Sequence, residues 1–439
     1  MERQLPLFDE LRIGQRVRKP DRTRGNGVAN RLDESDRPFH GWYRFVLSFP
    51  PHLVRDYIER FDLKPNQQIL DPFCGTGTTL IEAKLNRLRA TGMESNPIAH
   101  FASATKTDWS VSARRLKVEA PRIALEAERA ISRARKLRTL PAEGMSLLLT
   151  HSICPVPLHK SLLLLDTIDG NCPPALKGHA RLAFAKTLVG AASNLHFGPE
   201  VGVRGRKEDA DVVGAWLQNT LSMVSDIEST QGANLQNVAV YLGDSREPEA
   251  ILRPESIDAI FTSPPYPNEK DYTRATRLEL VTLGFIRNKH ELRQLKRGLL
   301  RSNTRGVYTE DSDDIWIKGN TKILRIAAEI EHRRIELGKT SGFERLYARV
   351  TKLYFGGMSR HLAAMRPYLR KGAHLAYVVG DQASYLRVLI KTGELLAEIA
   401  ESLGYLVDGI DLFRTRLATA TRAQIREEIV VLRWPGTTL

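Results

Sequence analysis

The chain has 439 residues, 42% hydrophobic and 26% charged, enough to bury the core of a soluble protein of one large domain with insertions or of a few domains. No apolar run is long enough for a transmembrane helix, MERQLPLFDE lacks the apolar core of a secretion signal, and three cysteines make no disulfide framework, so membrane and disulfide-scaffold classes are set aside and a cytoplasmic location is expected. Lys plus Arg total 65 against 51 acids, a formal charge of +14, which favours a polyanionic partner because each neutralised phosphate releases counterions.

Residues 1–38 are polar and Arg-rich and read as an irregular basic arm. HGWYRFVLSFPPHLVRDYIERF follows as an aromatic loop and an amphipathic helix from about Pro51 to Phe61, entered at Pro50-Pro51 because proline suits a helix's first turn. Residues 66–97 read as strand (Gln68 to Asp71), Gly/Thr loop (PFCGTGTT), helix, and a second strand ending at Glu94, the opening of a parallel α/β sheet. Residues 111–234 interrupt the alternation as a helical insertion, with 194–212 expected as a loop. Within it Cys154 and Cys172 lie near His151 and His159, so a metal site is conceivable, but no C-x-x-C pair exists and the cysteines read as scattered core thiols.

Strands resume at 237–245 and 256–263, a basic helical insertion occupies 286–355, and further strands lie near 374, 406 and 428. The last two have no helix between them, which predicts a hairpin. The expected fold is α/β: a seven-stranded, mostly parallel, doubly wound sheet with an antiparallel final strand and helical insertions. Segments 39–110, 235–285 and 356–439 would then form one catalytic domain.

The strand ends carry the chemistry. Gly75 and Gly77 let the backbone adopt φ > 0 and approach a ligand closely. The loop has neither the Gly-Lys-Ser/Thr of a triphosphate loop nor the G-x-G-x-x-G of a pyrophosphate site. Asp71 favours a positively charged ligand group, Glu94 is placed to accept ribose hydroxyls, and Asp244 would border an adenine. Each has an ordinary alternative, since strand-end acids cap helices and glycines make turns. The ordered set suits S-adenosylmethionine, a zwitterionic nucleoside, better than NAD. The strand Ile257-Asp258-Ala259-Ile260-Phe261 then ends in Thr262 and the rigid, donor-poor Ser263-Pro264-Pro265-Tyr266.

On these residues the chain resembles the amino-methylating DNA methyltransferases, which act on N4 of cytosine or N6 of adenine. DPFCGTGTT resembles their cofactor loop, GMESNP the ribose-binding acid, GDS the adenine-side acid and TSPPY the catalytic tetrad. HGWYRFVLSFPPHLV resembles their N-terminal cofactor-side element. Similarity covers roughly 40–110 and 235–435. The resemblance implies the Rossmann-like class I methyltransferase fold, S-adenosyl-L-methionine held by Asp71, Phe73, Gly75, Gly77, Thr78, Glu94 and Asp244, and catalysis by Ser263, Pro264, Pro265 and Tyr266. Serine at the head of the tetrad is similar to the cytosine-N4 branch.

The tetrad's chemistry follows from the substrate. A base amine is a poor nucleophile because its lone pair is delocalised into the ring. Acceptors on Ser263 and the Pro264 carbonyl would take its hydrogens, and the prolines would hold them rigid. Tyr266 would face a base flipped out of the duplex. The chain has no Pro-Cys pair of the kind C5-methylating enzymes use, so direct transfer is expected.

For DNA contact, residues 287–305 carry Arg287, Lys289, Arg293, Lys296, Arg297, Arg301 and Arg305 and follow the catalytic strand, so this region is favoured for target recognition. The stretch from Asp271 to Arg274 is expected at the base pocket or its rim. The helical insertion offers Arg133, Arg135, Lys136, Arg138 and Arg204, although a charge run is more often a solvated helix face. The expected activity is methyl transfer to N4 of a flipped-out cytosine in duplex DNA, as the modification enzyme of a restriction–modification system with a cognate endonuclease acting separately. Alternatives are an N6-adenine DNA enzyme, an RNA guanine-N2 methyltransferase, and a non-catalytic nucleic-acid-binding protein.

Overall fold

A computed structural model describes residues 32–45, 48–198, 200–230, 236–417 and 424–436. The expected basic arm lies outside the described residues up to residue 31. Nine strands form among the described residues: β1 (Gln68–Asp71), β2 (Arg89–Glu94), β3 (Leu195–Phe197), β4 (Val201–Val203), β5 (Val238–Leu242), β6 (Ile257–Thr262), β7 (Leu369–Gly380), β8 (Leu406–Leu417) and β9 (Gln424–Arg433). Seven of them make one sheet in the order β5-β2-β1-β6-β7-β9-β8, and β3 with β4 forms a separate ribbon. The first five of the seven are mutually parallel, and β9 runs antiparallel to both β7 and β8.

The antiparallel strand is therefore the final one, as expected, but it lies inside the sheet between β7 and β8. Burial explains the placement. Strand β9 is buried continuously from Glu427 to Leu432, whereas β8 carries Asp408, Asp411, Arg414 and Arg416 and tolerates an edge.

Apolar spacing decides what covers the sheet. The helix Pro51–Arg60 buries Leu53, Val54, Tyr57 and Ile58 on one face, against Ile69, Ala90, Phe261 and Ala376 of the sheet. On the opposite face the helices Tyr347–Met365 and Thr392–Ser402 pack over Ile260, Leu375 and Tyr377. The first of these helices runs across the expected boundary at residue 355. The helices Ala113–Arg133, Pro155–Asn171, Pro174–Thr187 and Val212–Glu228 share a third core that also takes in Phe39 and Trp42. The indole of Trp42 donates to Asp226 at 2.7 Å, joining the aromatic segment to the helical insertion.

The expected loop at 194–212 is partly ordered as the β3–β4 ribbon, whose strands are too short for a periodicity signal. Cys154 and Cys172 flank the 17-residue helix Pro155–Asn171 at its two ends, roughly 25 Å apart at about 1.5 Å per residue, so the two thiols do not converge on one ion. No helix among the described residues is long and apolar enough to cross a membrane.

One close approach positions the second insertion. A Cβ on Gly356 would stand 2.0 Å from the Asp313 carbonyl oxygen, so the turn Asp313–Ile317 rests directly on the helix backbone. Gly356→Ala should destabilise the protein by about 1–3 kcal/mol, because a backbone atom must give way. Thermal unfolding checks this; an unchanged midpoint would show that the turn moves freely.

Candidate active site

A cavity of about 290 Å³ opens at the carboxyl ends of the strands, where open α/β sheets bind ligands. The loop after β1 supplies Phe73, Gly75, Thr76 and Thr78, and the tip of β2 supplies Glu94. Asp244 follows β5, and Ser263, Pro264, Pro265 and Tyr266 follow β6. The aromatic segment adds Phe45, Ser48 and Phe49 from the outer side.

The cofactor-side half is built to receive a polar ligand. Gly75 has φ 51° and nothing within 4 Å of where a Cβ would stand, so its backbone faces open space. Glu94 accepts the Gly75 amide at 2.8 Å and the Asn96 amide at 2.8 Å, which fixes its carboxyl at the cavity wall. Burial pushes that carboxyl up to about 7, against the pull of those amides. Thr76 presents a buried hydroxyl that has no hydrogen-bond partner among the described residues. Asp244 is gripped by Arg246, whose Nε donates to its two oxygens at 2.9 and 3.1 Å. Arg246 also pairs with Asp313 of the second insertion, so Asp244 is braced from outside the sheet.

Two expected cofactor residues stand behind the wall. Asp71 is fully buried and does not line the cavity; its Oδ1 accepts the Thr262 hydroxyl at 2.6 Å and the Phe73 amide at 3.2 Å. Its Oδ1 thus links the two loops, while its buried Oδ2 has no hydrogen-bond partner among the described residues. Gly77, at φ 85°, precedes the helix Thr78–Leu85 and lies against Ser103, so it serves packing.

On the catalytic side, the Ser263 hydroxyl donates to the Val378 carbonyl at 3.0 Å. That bond occupies its proton and leaves its lone pairs as acceptors. The loop beyond is pinned to the second insertion. The amide of Asn268 donates to Ser302 O at 3.1 Å, and the Thr304 amide and hydroxyl donate to Glu269 at 3.0 and 2.8 Å. The side-chain Nδ2 of Asn303 donates to the Lys270 carbonyl at 3.1 Å. Asp271 and Tyr272 line the cavity as expected, whereas Thr273 and Arg274 do not.

Sequence reading missed the wall formed by the β8–β9 hairpin: Phe413, Arg414, Arg416 and Glu427. Glu427 accepts Arg414 at 2.6 Å and lies 3.1 Å from Arg416 Nε. A signal was present, since Arg414 and Arg416 alternate along a strand and so share one face.

The expected phosphate-binding cations divide. Arg293 and Arg297 are exposed on the helix Lys289–Arg297, which buries none of its residues. Lys296 and Arg301 are committed inside: Lys296 donates to buried Asp271 at 2.7 Å, and Arg301 forks onto Asp311 at 2.8 Å while donating to carbonyls at that helix's end. A charge run does not reveal which of its members turn inward.

Residues 15–103 match the N6/N4 methyltransferase family, described as DNA methylase. Type II methyltransferase M.BsoBI of Geobacillus stearothermophilus is 23% identical over 456 residues, covering 91% of this chain and 86% of its own length. Type II methyltransferase M.AvaI, from Nostoc sp. strain PCC 7120 and from Anabaena variabilis, is 23% identical over 434 residues, covering 91% and 87%. Over these residues the chain is similar to the amino-methyltransferase family. That likeness implies S-adenosylmethionine as methyl donor, and the residues fit that group: a fixed acid for ribose hydroxyls, an open glycine backbone and an unpartnered Thr76 hydroxyl face one cavity.

Glu94 makes the fit testable by pH. Its ionised form is the better acceptor for two hydroxyls, so cofactor affinity should be full above about pH 7 and fall by up to about tenfold per unit below it. Stability runs the other way, because the folded acid holds a proton that the unfolded chain releases between roughly pH 4 and 7. Calorimetry from pH 5.5 to 8.5 checks this (about three units); a flat profile, or one unchanged by Glu94→Gln, removes Glu94 from the ribose site.

Proposed function

We propose that this methyltransferase transfers a methyl group to N4 of a flipped-out cytosine in duplex DNA, as the modification enzyme of a restriction–modification system in the cytoplasm, with a cognate endonuclease acting separately. Segments 39–110, 235–285 and 356–439 form its catalytic domain, and 286–355 carries target recognition. The observation that supports the reading is that Glu94, Asp244 and the tetrad line one cavity, as a nucleoside-type cofactor beside an amine-holding loop would require. The Type II methyltransferases it resembles over 91% of its length support the restriction–modification setting.

Bound S-adenosylmethionine supplies an electrophilic methyl group. Glu94 would hold the ribose hydroxyls and Asp244 the adenine, with Phe73, Gly75, Thr76 and Thr78 around the rest. Ser263 and the Pro264 carbonyl accept the hydrogens of the base amine, which localises its lone pair toward the methyl. Both acceptors are fixed before substrate arrives, Ser263 by the Val378 carbonyl and Pro264 by its ring, so no reorganisation is needed during transfer. Tyr266 offers a face to the extruded base, a contact on the order of 1–3 kcal/mol. Serine at the head of the tetrad favours cytosine over adenine in this reading.

Labelled methyl supplied as S-adenosylmethionine should enter duplex DNA and be recovered as N4-methylcytosine. Recovery as N6-methyladenine reverses the choice of base, and no incorporation removes the activity. Tyr266→Ala should lower turnover roughly 10–100-fold while cofactor affinity holds. Replacing Arg293 and Arg297 together with Ala should weaken DNA binding and flatten its dependence on salt. An unchanged slope would move phosphate contact to another surface, such as the exposed Arg133 to Arg138 stretch.

A further inference from the structure

Five cations line the catalytic cavity, and four of them are already committed. Lys296 holds Asp271, Arg301 holds Asp311, Arg414 holds Glu427, and Arg416 lies beside Glu427 while donating to the Asp381 carbonyl. Lys270 is the fifth. Its backbone amide and carbonyl are both bonded, but among the described residues its ammonium has no hydrogen-bond acceptor and no carboxylate at ion-pair distance. It is nevertheless half-buried, and it also lines a second cavity of about 260 Å³ that shares Phe45, Asp271 and Tyr272 with the first. Burial depresses its pKa, with Arg416 adding to the effect and Glu427 opposing it.

An ammonium shed of part of its water and left without a partner is costly unless an acceptor arrives with the ligand. The loop cannot easily swing it outward, because Asn268, Glu269 and the Lys270 carbonyl are all tied to residues 302–304. A half-buried donor with no protein acceptor among the described residues, anchored at its backbone, thus stands four residues beyond Tyr266 in the wall of the cavity proposed to receive the base. The exposed cations Arg293 and Arg297, on the outer helix, are better placed for phosphates that stay in solvent.

The target's own edge indicates the acceptor. When the amine of cytosine is held by Ser263 and Pro264, the next positions along the ring are N3 and O2, both acceptors. Adenine held the same way offers N1 and then a C–H. An ammonium with three donors on one centre can serve two neighbouring acceptors. We propose that Lys270 is a specificity-determining residue that donates to N3 and O2 of the target cytosine while Ser263 and Pro264 hold its amine. This inference rests on the N4-cytosine reading above.

The test uses the full-length protein on duplexes bearing its own methylation site, identified first by mapping the modified base in genomic DNA. The target position carries cytosine or 3-deazacytosine, in which N3 is replaced by C–H. Lys270→Met should lower kcat/KM for DNA roughly 10–100-fold, Lys270→Arg should recover part of the loss, and S-adenosylmethionine affinity should stay within about twofold. The 3-deaza substitution should cost the native protein roughly tenfold and Lys270→Met less than about twofold, because the contact is already gone. Equal losses in both proteins, or native-like turnover of cytosine by Lys270→Met, overturn the assignment. So does a defect matched by a methylphosphonate beside the target, which would mark a phosphate contact. A native product of N6-methyladenine, or no product, instead overturns the parent reading and takes the Lys270 role with it.

Discussion

A single buried carboxylate joins the two working loops of this protein. Asp71 ends β1, Thr262 ends the neighbouring strand β6, and the 2.6 Å bond between their side chains sets the start of the glycine loop against the start of the tetrad. The same Asp71 oxygen takes the Phe73 amide, so the first turn of the glycine loop is fixed by the group that fixes the end of β6. Burial pushes this carboxyl up to about 6, a sign that the link is maintained against a real desolvation cost. Spacing between methyl donor and acceptor amine would be hard to hold without it.

The second insertion extends that logic outward. It grips the loop after β6 through Thr304 and Glu269, and it reaches Asp244 through Asp313 and Arg246. A buried arginine shared by two carboxylates is sensitive to the loss of either, because the remaining charges would be left uncompensated. The region proposed to read DNA is therefore fastened to both halves of the cavity. Its basic charge is likewise divided by burial, with Lys296 and Arg301 holding the scaffold and Arg293 and Arg297 left outside.

At the head of the tetrad a hydroxyl's role is set from a distance. Ser263 could present either a proton or a lone pair, and the Val378 carbonyl on β7 removes that freedom by taking the proton. The acceptor character proposed for Ser263 thus depends on a strand more than a hundred residues away. Across the cavity, Arg414 and Arg416 gather on Glu427, a charged wall contributed by the last hairpin.

Much of this was written locally. Periodicity and strand-ending residues determined the seven strands, the parallel opening unit, the hairpin at the end, and the placing of Glu94, Asp244 and Ser263 at strand tips, because those features depend on neighbours a few residues apart. Which side of a wall a residue occupies depends on what packs behind it. Asp71 and Gly77 read as ligand contacts but lie behind the cavity, and Lys296 and Arg301 read as free cations but are paired. The shared face of Arg414 and Arg416 was legible in their alternation, but that it walls the cavity, that Asp244 is braced, and that Lys270 has no acceptor among the described residues could not be read from the chain alone. Each is set by residues distant in sequence, so only the folded arrangement decides which charges meet and which is left without a partner.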